Sequence, residues 1–259
     1  MSDPAPIIFF VAGATRGLGL GFVSQIPVKY PSAIVYAWAR EPSSSGADAL
    51  KRVANMYPGR VEIVKYVSAD EVGNAEVAKE IRTRHGKVDV VIANAAICSG
   101  LAPVHKADMN AFKEHFTVNV MGPIVLFKAF YGLLKASPSP KFIPITSVGG
   151  SLVITVSGPL QGVCYCSSKA ALNWISRKIH FENEWLLCFP FAPGGVDTDM
   201  LRTTIADDIT GKFADAVEKQ GVPLTPDAAA NKMIDIIMTA TREGEGGQYV
   251  NIDSSRLPW

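Results

Sequence analysis

Apolar residues fall in short runs separated by longer stretches of helical spacing. The runs that read as strands cover residues 7–12, 33–39, 61–67, 88–95, 141–147, 186–191 and 248–252. Several are apolar without alternation, as in strands buried on both faces of a parallel sheet. The stretches 17–25, 47–56, 71–84, 108–134, 165–181 and 226–241 read as helices. Alternating strands and helices imply βαβ units with right-handed crossovers. The expected fold is therefore α/β: a doubly wound parallel sheet, a Rossmann fold, with helices on both faces. The Pro42–Gly46 stretch fits a strand-to-helix loop, and Pro138-Ser139-Pro140 a helix-to-strand turn. No linker, repeat or low-complexity block interrupts the pattern, so one domain is expected over residues 1–259.

Composition narrows the function. Of 259 residues, 48% are hydrophobic and 19% charged, enough for a sizeable core and too little charge for disorder. A net charge of +1 argues against a partner held by bulk electrostatics, such as nucleic acid. The run at 7–12 is far short of the ~20 residues that span a bilayer. Asp3, Pro4 and Pro6 precede it, so no signal peptide is expected. A cytoplasmic protein with no membrane partner is the expectation. Cys98, Cys164, Cys166 and Cys188 make no disulfide framework in a chain this long. Cys164-x-Cys166 has no accompanying Cys/His pair, and His85, His105, His115 and His180 are scattered. No metal site is expected, and the thiols read as structural.

Ligands of an open parallel sheet bind outside the carboxyl ends of its strands. After the first strand comes Ala12-Gly13-Ala14-Thr15-Arg16-Gly17-Leu18-Gly19, with glycines spaced G-x-x-x-G-x-G. Glycine allows a tight turn and close approach to a pyrophosphate, and the following helix offers free N–H groups. A strand before it and a helix after it make this a dinucleotide site rather than a plain turn.

The spacing resembles that of short-chain dehydrogenases/reductases. So do Asn94-Ala95-Ala96 after the fourth strand, Ser147 after the fifth, Tyr165-x-x-x-Lys169, and Pro193-Gly194 after the sixth. Together these span most of the chain. Tyr249-Val250-Asn251-Ile252-Asp253, Leu257-Pro258-Trp259 and the stretch Arg177-Lys178-Ile179-His180-Phe181-Glu182 resemble a branch related to fungal ketoreductases of the norsolorinic acid type.

The resemblance implies a cofactor site of Gly13, Thr15, Arg16, Gly17, Leu18, Gly19, Arg40, Asn94, Ala95, Ala96, Tyr165, Lys169, Pro193, Gly194, Val196 and Thr198. An acidic residue at the end of the second strand would select NAD; here Ala39 stands there, with Arg40 following. Arg40 and Arg16 favour a 2′-phosphate and hence NADP(H), whereas an Arg40–Glu41 surface pair is the bland alternative. Val67 stands where the family often has an adenine-contacting Asp, and Asp70 follows three residues on. The adenine contact is left unassigned.

Tyr165 and Lys169 lie four apart on an expected helix and so share one face. A free phenol has a pKa of about 10, and a nearby ammonium lowers it. By resemblance Tyr165 is the general acid of carbonyl reduction, tuned by Lys169. Ser147 would hydrogen-bond the substrate carbonyl, with Ser151 as its rival. Asn119 would hold a water for proton relay. The added loop between Ser147 and Tyr165 shapes the pocket or bulges at the surface. The segment 200–221 is expected to be a lid.

The resulting expectation is an NADPH-dependent ketoreductase acting on a small-molecule ketone, bulky and apolar or aromatic. The alternatives are dehydration, isomerisation or cyclisation on the same scaffold, and a non-catalytic NADPH-binding protein. The resemblance also implies a homodimer or homotetramer built on the two long helices, although monomers occur in the family.

Overall fold

The computed structural model describes residues 5–65, 67–219 and 221–259. Asp3 and Pro4, Tyr66 of the expected third strand and Gln220 of the expected lid lie outside them. The strands are β1 (Ile8–Val11), β2 (Ile34–Ala39), β3 (Val61–Lys65), β4 (Val90–Ala93), β5 (Lys141–Pro144), β6 (Leu187–Cys188), β7 (Phe191–Ala192) and β8 (Val250–Asn251). A six-stranded sheet runs β3-β2-β1-β4-β5-β6, all parallel. The order reverses direction between β1 and β4, which makes the carboxyl ends of these two strands the crevice of the sheet.

The expected sixth strand, 186–191, is split. Pro190 has no N–H to donate, so the ladder breaks before it and β7 restarts beyond. β7 pairs with β8, and the isolated bridge Ile145–Phe191 ties this pair to the end of β5.

Successive strand side chains point to opposite faces, and here both faces are apolar. Phe9, Val11, Val35, Ala37, Val90 and Ile92 enter one core. Ile8, Phe10, Tyr36, Trp38, Val91 and Ala93 enter the other. The first core is covered by α1 (Gly17–Lys29) and α9 (Pro226–Thr239), through Phe22, Ile26, Met233 and Ile237. The second is covered by α3 (Glu71–His85), α5 (Gly122–Lys135) and α6 (Val163–Glu182), through Ile81, Phe130, Leu133 and Ile179. The doubly wound α/β fold is as expected. The remaining helices are α2 (Asp48–Met56), α4 (Met109–Phe116), α7 (Asp199–Asp207) and α8 (Lys212–Lys219).

The helix expected over 108–134 is α4 and α5 joined by a π turn at Thr117–Met121, where the Gly122 N–H reaches back five residues to Thr117 O. Such turns concentrate at functional sites, and this one carries Asn119. The whole stretch Met109–Lys135 is long and apolar enough to span a bilayer by length and composition. Its apolar residues Leu126, Phe130, Leu133 and Leu134 are spent on the core.

Candidate active site

The glycine turn joins β1 to α1. The Ala14 N–H donates to Trp38 O at 3.1 Å, which ties the turn to the end of β2. Gly13 has φ +72°, and a Cβ there would sit 2.9 Å from Ala95 Cα. A Cβ on Gly19 would lie 2.0 Å from Gly13 O. Asn94 Nδ2 donates to Ala12 O and Gly13 O at 3.1 and 3.2 Å. Asn94 and Ala95 thus fix the turn from β4. Ala96, Thr15 and Gly17 are part-exposed beside it. No side chain caps α1, and its first intrahelical bond is Leu20 N–H to Arg16 O. The preceding amides remain for an anion. Leu18 is buried in the core, so it would offer a ligand only main chain.

The two arginines are not placed alike. Arg40 is exposed directly after β2 and forms no ion pair among the described residues. Glu41 instead pairs with Lys65 at 3.9 Å, so the Arg40–Glu41 pairing does not form. Arg16 is 3.5 Å from the Asp199 carboxylate. Arg16 is thus shared with an acid that lies far along the chain. Thr198 Cγ2 lies against Gly17, which brings the first turn of α7, and Asp199 with it, to the glycine turn. Asp70, beside the unassigned adenine position, caps α3 by accepting from Gly73 N–H. Val67 is 42% exposed.

Past β7, Pro193 and Gly194 lead to Val196. Val196 is buried and bridged to Leu224. Thr198 Oγ1 accepts from Leu201 N–H at 3.3 Å and caps α7. Thr204, six residues further on in α7, has its hydroxyl 3.5 Å from Cys98 Sγ. The expected lid segment is therefore α7 and α8, with α7 docked on the loop after β4. α8 carries no buried residue.

The candidate reaction centre lies where β5 meets α6. Lys169 Nζ is 5.7 Å from the Tyr165 ring centre and donates to Ile145 O at 2.8 Å. Ser147 is hydrogen-bonded to Tyr165. Burial pushes the Tyr165 phenol above its ordinary value; the Cys98, Cys166 and Tyr249 side chains add to the rise, and the Ser147 bond opposes it. Burial also pushes the Lys169 ammonium down to about 8, opposed by Cys98. The expected depression of the phenol by Lys169 is not found here. Both charged forms lose their water, and the ammonium already donates to a carbonyl. The phenol is held in its protonated, proton-donating form.

Asn119 is fully engaged by its side chain. Oδ1 accepts from Ile97 N–H at 2.9 Å, and Nδ2 donates to Ile97 O and to Ser168 Oγ, each at 3.0 Å. It joins the loop after β4 to the residue preceding Lys169. Any role with water falls to its main chain, and the side chain sets the frame. His115 supports the same loop by accepting from Ser99 N–H at 3.2 Å. Ser151 is out of contention: its Oγ donates to Pro258 O at 2.8 Å and accepts from Ile154 N–H.

Cys98, Cys166 and Tyr249 surround the phenol; the sequence reads the thiols only as structural and Tyr249 only as part of the branch resemblance. Cys98 could have been singled out, since it follows a strand end on the crevice side. Burial pushes both thiols up, Cys166 to about 12, so neither is a ready nucleophile.

The model of the short chain dehydrogenase family matches residues 8–209. The chain belongs to that family. It is 31% identical over 270 residues to norsolorinic acid ketoreductase of Aspergillus parasiticus, covering 99% of this chain and 92% of that one. Identity is 32% over 266 residues with the norsolorinic acid ketoreductase of Dothistroma septosporum, covering 99% and 94%. Among solved structures, the NADPH-bound carbonyl reductase from chicken fatty liver superimposes with a TM-score of 0.85 at 24% identity, covering 99% of this chain and 100% of that one. This short chain dehydrogenase is an oxidoreductase with the family's fold.

The two segments that carry the branch resemblance touch. The Arg177 guanidinium lies 4.8 Å over the Trp259 ring and 5.4 Å over Phe181. Its Nη1 donates to Gly247 O at 3.3 Å.

Proposed function

We propose that this oxidoreductase uses NADPH to reduce a ketone to a secondary alcohol. The carrying observation is the convergence of Ser147, Tyr165 and Lys169 beside a glycine turn whose Gly13–Gly19 contact leaves no room for a side chain. The free amides of α1, the glycine turn and the exposed Arg40 at the end of β2 fit a dinucleotide carrying a 2′-phosphate. Gly13, Thr15, Arg16, Gly17, Leu18 and Gly19 would hold the pyrophosphate through main chain. Asn94, Ala95, Ala96, Pro193, Gly194, Val196 and Thr198 would frame the nicotinamide half. The bound cofactor supplies the hydride.

The chain's own residues do the rest. Ser147 donates to the substrate carbonyl oxygen and stabilises charge developing there. Tyr165 gives its phenolic proton to that oxygen as the hydride reaches the carbon. Lys169 holds a positive charge near the resulting phenolate and would bind the nicotinamide ribose. Asn119 fixes the helix turn behind Lys169. Leu152, Val153, Ile154 and Val156 are exposed on the loop after Ser147 and would offer a bulky apolar or aromatic ketone an apolar surface. The α7–α8 segment would close over it.

The test is oxidation of NADPH, and separately NADH, against a panel of bulky ketones, with deuteride-labelled cofactor. The expected result is faster turnover with NADPH and label in the alcohol. Product without label would favour a non-redox reaction on the same scaffold.

A further inference from the structure

Ser147 belongs to no regular element. β5 ends at Pro144, and a short 3₁₀ turn, Val148–Gly150, begins after it. Its position therefore depends on specific bonds. Ser147 Oγ accepts from Gly149 N–H at 3.1 Å. Ser147 O accepts from Gly150 N–H at 2.8 Å and also from the Tyr249 hydroxyl. One carbonyl is thus clamped from both sides, and one clamp comes from 102 residues away.

Tyr249 is itself held. It is 1% exposed, and its ring stacks on Trp259 with centres 5.6 Å apart. Leu257 N–H donates to Tyr249 O at 2.8 Å. The strap 257–259 then grips the far end of the catalytic turn. Pro258 O accepts from Ser151 Oγ, and Trp259 O accepts from Val153 N–H at 3.1 Å. The Tyr249 hydroxyl also faces the buried Thr146 and Asn173 side chains, whose bonding to it opposes the rise that burial causes in its pKa. A phenylalanine would fill the apolar part of this site and avoid burying a hydroxyl. The hydroxyl's desolvation is offset by its bond to Ser147 O.

We infer that Tyr249 is a positioning residue for Ser147: with the 257–259 strap behind it, its hydroxyl fixes the main chain that aims the serine at the substrate carbonyl. The inference rests on the role given to Ser147 above. Tyr249→Phe keeps the ring and removes the bond, while Gly150 N–H still satisfies the carbonyl. In the full-length enzyme kcat for ketone reduction falls about tenfold or more, as expected for a misplaced reacting group. KM for ketone and NADPH stays within about twofold, since binding surfaces are untouched. Gly149 and Gly150 amides exchange with solvent faster than in wild type. Wild-type kcat, or unchanged exchange at both glycines, overturns the inference. So does a kcat loss accompanied by a comparable rise in KM and a broad loss of stability. If wild-type enzyme reduces no ketone, the proposed function fails, and exchange at Gly149 and Gly150 alone decides the role of Tyr249.

Discussion

At the scale of single residues, the centre is set by burial more than by charge. Tyr165 is raised by desolvation and kept as an acid, and Lys169 is lowered to about 8 by the same cause. Tyr165→Phe removes the transferable proton without changing the ring. Turnover should fall by about 10²–10⁴-fold, with NADPH affinity unchanged by fluorescence titration. The Lys169 value gives a pH prediction. On the proposed mechanism its positive charge would support the developing phenolate only below about pH 8, so kcat/KM for reduction should decline above that pH. Lys169→Arg, whose charge persists, should move the decline upward. The stability term runs the other way. Between about 8 and the ordinary 10.5, the unfolded chain binds the extra proton. This group's contribution to stability therefore rises with pH across that window, measurable as urea midpoints. The Tyr-x-x-x-Lys spacing was legible because helical periodicity alone puts positions four apart on one face. The balance of burial against charge was not, because it depends on Cys98, Cys166 and Tyr249, which distant segments deliver.

At the scale of elements, two packing contacts set the site. α1 crosses α9 at Gly21, where a Cβ would lie 2.6 Å from Pro226 O. Backbone cannot yield as a flexible side chain can. Gly21→Ala should cost about 1–3 kcal/mol by overpacking, despite alanine's better helix propensity, and thermal unfolding would show it. The C-terminal end of α9 is gripped by buried Lys141, whose Nζ donates to Ile237 O, Met238 O and Ala240 O at 2.7–3.0 Å. Lys141→Met leaves these carbonyls without that donor and should destabilise by about 1–3 kcal/mol in urea titration. Most strands and helices were readable from apolar runs and periodicity, with ends shifted by a few residues. The π turn at 117–121 was not, since an extra residue in a helix leaves the apolar pattern nearly intact. The break at Pro190 had its cause in plain view, a missing N–H inside an apolar run.

For the whole molecule, cofactor choice is the accessible test. Arg40 stands exposed directly after Ala39, the position where an acid would select NAD, and Arg16 is shared with Asp199. A ligand that binds only the folded state raises its stability in proportion to RT ln(1 + [L]/Kd). NADP⁺ should therefore raise the unfolding midpoint more than NAD⁺ at equal concentration. Arg40→Asp should shrink or reverse the gap, and an equal shift by both cofactors would count against the 2′-phosphate reading. Asp199→Asn tests the other arginine, whose release should tighten NADP⁺ binding.

The doubly wound sheet, the glycine turn and the order of Asn94, Ser147, Tyr165 and Lys169 are legible in the chain alone. Each is written in local spacing: strand runs, a turn only glycine can make, one face of a helix. Tertiary structure alone decided what surrounds them. It gave Arg16 an acidic partner, engaged the Asn119 side chain in the loop after β4, removed Ser151 from the centre and set Tyr249 behind Ser147. These contacts join segments tens to more than a hundred residues apart, and their geometry follows from how the crossovers stack the layers. No local pattern encodes that.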